Sequence, residues 1–185
     1  MFKLFWLLLC VFSLWGCGQR PGGKTPDSRA PESQTQGSER QGVLSYETGD
    51  AGVTITDCDG AAEGEMVIPD EIEGLPMTRI GERAFEDCSN LTSIIIPEGV
   101  TSIEWWAFQA CSSLTSIYVT SGNSSYKSLD GVVFSKDLNQ LLICPEGKSG
   151  DYIIPEGVTS IGGAAFAGSI QGFIIDALRV TLAGG

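Results

Sequence analysis

Apolar residues recur along this chain with a fixed period. Ile80, Phe85, Cys88, Leu91 and Ile94 return as Ile103, Phe108, Cys111, Leu114 and Ile117, each 23 residues later. The run Ile-Ile-Pro-Glu-Gly-Val-Thr-Ser-Ile of residues 95–103 comes back at 153–161, an offset of 58, which is one period of 23 plus an extension of 35. Within a unit, Leu91 to Ile96 is rich in β-branched residues and stops at Pro97, which cannot donate to a ladder, so it predicts a strand. Glu98 and Gly99 turn the chain into a second extended piece, Val100 to Ile103. Ala107, Phe108, Cys111 and Leu114 then follow at intervals of 1, 3 and 3, which suits a short helical turn with one buried side. Strand, turn, strand and helical turn make one coil of a solenoid. A single coil cannot bury its own apolar side, so equivalent positions must stack on one another.

Together, "LTSIIIPEGVTSI" at residues 91–103 and the Ala-Phe-x-x-Cys runs ending at Cys88 and Cys111 resemble the BspA-type leucine-rich repeat of bacterial surface and secreted proteins. The likeness covers residues 43–168, with 44–85 resembling a degenerate first coil. It implies a mainly β protein with short helical turns: a right-handed leucine-rich-repeat solenoid of about four coils, one carrying a β-hairpin-like extension. The extension runs from Asn123 to Gly157 and reads as a hairpin of Val132-Val133-Phe134 against Leu141-Leu142-Ile143. The resemblance further implies surface exposure and adhesion to proteins or cells.

The two ends differ from this pattern. "MFKLFWLLLCVFSLWGC" has a basic start at Lys3 and twelve apolar-rich residues from Leu4 to Trp15. A helical membrane span needs about 20 apolar residues, so the length fits a secretory h-region. Leu14-Trp15-Gly16-Cys17 resembles the bacterial lipobox, which implies lipidation at Cys17 and export to a bacterial outer membrane or cell surface; Trp15 is bulkier than the usual residue there. Residues 18–42 contain no aromatic and no aliphatic residue larger than alanine. They cannot bury enough surface to offset their ordering entropy, and they read as a disordered tether reaching about 25–30 Å. Residues 169–185 break the repeat, with Ser169 for Cys, Gly172 for Leu and Leu178 for Pro. This is an atypical end, either an unusual cap or a truncated repeat, and lower order is expected over 173–182 than over 67–165.

Charge and chemistry narrow the function. The chain carries 23 acidic and 11 basic residues, net −12. The tether is +1, which leaves 20 acidic and 6 basic residues, net −14, in 43–185. Phosphate backbones are repelled by such a surface, which excludes nucleic acid as a partner. There is no histidine, so the usual general base and the commonest metal ligand are missing. No Cys-x-x-Cys spacing occurs, and Asp57-Cys58-Asp59-Gly60 lacks the ligand spacing of a calcium loop and reads as a turn, so no metal and no cofactor are implied.

Cys88 and Cys111 occupy one repeat slot, filled by Ser169 in the third copy, which points to a small buried side chain rather than a disulfide. Pairing of Cys58 and Cys144 cannot be read from sequence. Trp105 and Trp106 fill slots held by Glu82-Arg83 and Gly163-Ala164 elsewhere, so they are not core by register. Two readings stand for them, a partner-contact site for protein or glycan and local packing against the coil edge or the insert. Glu104 replaces the glycine of Gly81 and Gly162, which raises the question of a different backbone at that turn. The outward Thr92, Ser93, Thr101, Ser102, Thr115 and Ser116 form a face suited to contact. The expected function is non-catalytic recognition by a membrane-anchored lipoprotein. The alternatives are a histidine-free carbohydrate-active enzyme, or a truncated remnant of a longer array without its own ligand.

Overall fold

The computed structural model describes residues 39–150 and 152–167 and the backbone of 181–182. The leader with Cys17, the tether as far as residue 38, and residues 168–180 lie outside the described residues, and the expectations made for them lie there too. β1 (Glu39–Gln41), β2 (Leu44–Gly49) and β3 (Gly52–Cys58) form an antiparallel ribbon. β1 starts inside the stretch expected to be tether, because Gly42 (φ 62°) reverses the chain and Gln41 pairs with Leu44.

From β3 onward the chain coils. β4 (Glu63–Val67), β6 (Leu75–Ile80), β7 (Asn90–Ile96), β8 (Ser102–Ile103) and β9 (Ser116–Val119) sort into two parallel stacks, while the short β5 (Glu71–Ile72) pairs antiparallel with β6. In one, β3, β6 and β8 align Ile55 with Ile80 and Ile80 with Ile103. In the other, β4, β7 and β9 align Met66 with Ile94 and Ile94 with Ile117. The 23-residue offset in the sequence is therefore the pairing register of the coils. Side chains from both stacks meet in one core with Phe85, Cys88, Leu91, Cys111 and Leu114, all fully buried. Burying each Ile, Leu or Phe is worth about 1.5–3 kcal/mol, and every such gain needs the neighbouring coil.

The expected short helical turns are not helices. The stretches after Ile80 and Ile103 are chains of hydrogen-bonded turns, with left-handed residues at Arg83 (φ 58°), Asp87 (φ 60°), Trp106 (φ 56°) and Ala110 (φ 58°). A right-handed helix cannot pass through them. Their amides serve the adjacent coil instead: Arg83 N–H donates to the Trp105 carbonyl (3.3 Å), Phe85 N–H to Ala107 (2.8 Å) and Asp87 N–H to Gln109 (3.1 Å). Phe85 and Phe108 stack between the two turns, ring centres 5.4 Å apart.

The threonines expected to present an outward face are exposed, yet they also tie coils together. Thr101 N–H donates to the Thr78 carbonyl (2.9 Å) and Thr115 N–H to Thr92 (2.9 Å), each 23 residues back. The hydroxyls of Thr101 and Thr115 reach the same two carbonyls. The glycine-to-glutamate change leaves the backbone pattern intact: Gly81, Glu104 and Gly162 N–H all donate one coil back, to Ile55, Ile80 and Leu141. Only Gly81 is required, since a Cβ there would lie 2.7 Å from the Ile55 carbonyl, against 3.4 Å from Leu141 at Gly162.

The extension is a meander of β10 (Tyr126–Leu129), β11 (Val132–Ser135) and β12 (Gln140–Ile143), followed by β13 (Ser160–Ile161) and β14 (Thr181–Leu182). β11 and β12 are the expected antiparallel pair, and β10 is an additional strand joined to β11 through Asp130-Gly131, both at positive φ, a two-residue hairpin turn. β12 pairs parallel with β13, so the extension contributes a coil of its own, and the solenoid has about five turns, compatible with the expected count of about four. β11 is buried on both sides: Val133 joins the first core, while Val132 and Phe134 join a second with Leu141, Tyr152, Ile154 and Ile161.

Asn123 fastens the extension to the array. It is fully buried, its Nδ2 donating to the carbonyls of Pro97 (2.9 Å) and Val100 (2.8 Å), its Oδ1 accepting from the amides of Ser125 (2.9 Å) and Tyr126 (2.8 Å). Every hydrogen-bonding site of the amide is filled. Asn123→Ala should destabilise the chain by about 1–3 kcal/mol for each group it orphans, read as a lowered midpoint in denaturant unfolding. The exposed Asn90→Ala should change stability by less than about 0.5 kcal/mol.

Candidate functional site

The solenoid is continuous on one side of the Trp105–Gln109 turn and interrupted on the other. Toward the preceding coil, backbone bonds join this turn to Arg83, Phe85 and Asp87. On the far side, the exit of β12 bonds to the last turn, with Cys144 N–H donating to the Ala165 carbonyl (2.7 Å). Between them lies a cleft of about 340 Å³. Its walls are Trp105, Trp106 and Phe108 on one side, Leu142 and Ile143 from β12, and Gly162 to Ala164 from the last turn. Small residues at Gly163 and Ala164, in the slots that hold the tryptophans one coil type earlier, leave this space open.

Trp105 is 63% exposed and Trp106 43%, the tryptophan pair being among the most exposed large apolar side chains described. Trp106 takes the left-handed conformation, and the Arg83 guanidinium lies 5.4 Å from its ring centre, a cation–π contact. Arg83 also pairs with Glu86 at 3.8 Å. Glu104 is engaged by Arg79 (3.5 Å) and by the Ser102 hydroxyl, which donates at 3.0 Å. The Tyr126 ring lines the cleft while its hydroxyl accepts from the Ile103 amide (3.1 Å) and donates to the Thr101 carbonyl (3.3 Å). Burial raises its pKa. Glu146 also lines the cleft, and its Oε2 is buried with no hydrogen-bond partner among the described residues.

The two tryptophans singled out in the sequence thus fall together at the lip of a cleft. Gln109, Gln140, Leu142 and Glu146 were not singled out. Three of these come from the extension, and the only sequence signal was its insertion directly after the coil that carries the tryptophans. Among the described residues, no group of three or more His, Cys, Asp or Glu is placed to hold a metal ion, and no helix is long and apolar enough to cross a membrane. Asp59 caps a turn, its carboxylate accepting from the Ala61 amide at 3.0 Å.

A family model for the BspA type leucine rich repeat region matches residues 66–171 in six copies. The chain belongs to this family. The same fold is seen in a leucine-rich repeat protein from Bacteroides ovatus, 21% identical with a TM-score of 0.50, the match covering 78% of this chain and 36% of that one. A leucine-rich repeat protein from Bacteroides capillosus is 22% identical over 80% of this chain and 99% of its own, with a TM-score of 0.48. One from Eubacterium ventriosum is 17% identical over 77% of this chain and 60% of its own, with a TM-score of 0.47. The BspA-type chain thus spans 60% of one of these proteins and about a third of another. No curated protein matches it.

In this BspA-type array the cysteines are core residues. Cys58, Cys88 and Cys111 are buried free thiols, Cys144 is buried as well, and the Cys111 thiol donates to the Phe85 carbonyl across the coil boundary at 3.0 Å. Burial pushes the Cys111 thiol up to about 12, from 9.0. The hydrogen bond with Cys88, together with burial, pushes the Cys58 thiol up as well. A raised folded-state pKa means that the unfolded chain loses its proton first, so this stability is complete below about pH 9 and is lost as pH rises toward 12. Cys111→Ser, which installs the residue of the third copy, should fold and should flatten the decline in unfolding free energy between pH 9 and 12. Denaturant titrations across that range read the difference.

Proposed function

We propose that this BspA-type protein is a non-catalytic recognition module, exported and held at a bacterial membrane by lipid on Cys17, with residues 18 to 38 as a flexible leash. Its partner is a protein or glycan at a cell surface, met through Trp105 and Trp106. The observation that carries this reading is the exposure of two adjacent tryptophans at the mouth of a cleft. Large rings left in water at a site not required for coil stacking are the side chains that dominate binding energy when a partner covers them. A cleft of about 340 Å³ lies within the usual range of ligand sites. The net charge of −14 over 43–185 keeps the module away from phosphate-rich polymers and favours partners with basic or neutral surfaces.

The test replaces both tryptophans with the pair found one coil earlier, Trp105→Glu with Trp106→Arg, in cells displaying the full chain over arrays of surface proteins and glycans. Adhesion should fall about 30-fold, the equivalent of about 2 kcal/mol for a hot-spot pair; undiminished adhesion would dispose of the site. Separately, Cys17→Ser should abolish incorporation of labelled fatty acid and release the chain from the membrane fraction.

A further inference from the structure

Cys58 has no place in the 23-residue repeat, yet the fold brings it to Cys88. The first coil is abbreviated. β3 pairs Ile55 with Ile80 and β4 pairs Met66 with Ile94, so 11 residues (66 − 55) cover a path that takes 14 (94 − 80) in the next coil. This shortcut carries Cys58, at the end of β3, into the core that holds Cys88. The Cys88 thiol lies 3.7 Å from the Cys58 carbonyl and 3.9 Å from the Asp59 carbonyl. The Cys58 thiol lies 3.7 Å from that same Asp59 carbonyl. Two sulfurs thus converge on one oxygen, each through a long and weak contact. The third buried thiol in this core, Cys111, is committed elsewhere, at 3.0 Å from the Phe85 carbonyl.

We infer that Cys58 and Cys88 are a disulfide-forming pair, and that their bond locks the first coil and the β1–β3 ribbon onto the array. A terminal coil is covered on one side only, so it opens more readily than an inner one. The two cysteines are 30 residues apart, and the loop between them holds β4, β5 and β6. Closing that loop restricts the unfolded chain and favours the seated coil. Buried thiols react poorly, so the exchange takes place before the first coil has seated. One cysteine thiolate attacks a sulfur of a disulfide oxidant and expels a thiolate. The second cysteine, having lost its proton, attacks the mixed disulfide and expels the other. The pair gives up two protons and two electrons, and the oxidant's disulfide becomes two thiols. Export, as proposed above, carries the chain to such oxidants, while the choice of partners is made by the fold.

The test refolds the reduced, denatured full chain in a mixture of reduced and oxidised glutathione, with a second sample kept in denaturant throughout. Free thiols are then blocked by alkylation and the tryptic peptides are mapped by mass. The refolded chain should link peptide 41–79, which holds Cys58, to peptide 84–127, which holds Cys88 and Cys111. Cys111→Ser should keep the link and Cys88→Ser should lose it. In denaturant the yield of this link should drop about tenfold, because only the fold holds the two sulfurs together. The linked chain should unfold at a higher denaturant midpoint than the reduced one. Its Gly81 amide, which donates to the Ile55 carbonyl at 2.8 Å across the first coil boundary, should exchange more slowly. Alkylation of both Cys58 and Cys88 in the refolded wild type would overturn the inference, with no variant needed. So would loss of the link in Cys111→Ser, or an equal yield in denaturant. A linked chain with the midpoint and Gly81 exchange of the reduced one would overturn the lock. Failure of export is read separately, as a Cys17→Ser chain that stays in the membrane fraction.

Discussion

Each coil of this protein is incomplete until the next one lies against it. The backbone groups of the turns find their partners 22 to 24 residues away, as in Phe85 to Ala107, Thr101 to Thr78 and Glu104 to Ile80. The apolar side chains do the same, with Ile80 over Ile103 and Ile94 over Ile117. Hydrogen bonding and hydrophobic burial therefore impose the same spacing, and a coil out of register would lose both at once. This shared requirement explains why the chain repeats itself. A buried thiol at Cys88 and Cys111 and a stacked ring at Phe85 and Phe108 are kept because they are the shapes that fit when identical turns lie side by side.

The same constraint explains where a functional surface can arise. A perfect array leaves no opening, because each turn is covered by its successor. The extension breaks the succession: it enters after β9, fastened by Asn123, and returns through β12, which supplies a strand to β13. The turn of the tryptophans faces this foreign coil and the small residues of Gly163 and Ala164, and a cleft remains. Trp105 and Trp106 are thus exposed for a structural reason, and the carboxylate of Glu146 is brought to the cleft by the extension rather than by the repeat.

Much of this architecture was legible in the sequence because periodicity is a global signal. Matched residues 23 apart gave the register, and Pro97 marked where β7 stops. The helical turns were misread because apolar spacings of 1, 3 and 3 are shared by a helical turn and by consecutive β-turns. What separates the two is the left-handed backbone at Arg83, Asp87, Trp106 and Ala110, none of them glycine and none flagged by residue type. β10 was missed although Asp130-Gly131 is a hairpin signal, since the strand itself, Tyr126 to Leu129, is half polar. Asn123 carries no signal at all, being one asparagine among serines whose importance comes from burial. The cleft followed the same rule: the residues that departed from the repeat could be named, and those brought to them by the extension could not.

Native-state hydrogen exchange on the full chain addresses coil stacking most directly. The amides of Phe85, Thr101, Glu104 and Thr115 each donate to a neighbouring coil, and they should exchange slowly and as one cooperative group, with Asn123→Ala lowering their common protection. Exchange at these four amides as fast as at exposed turn residues, with protection instead following an uninterrupted i to i−4 helical pattern, would contradict the stacked-coil account.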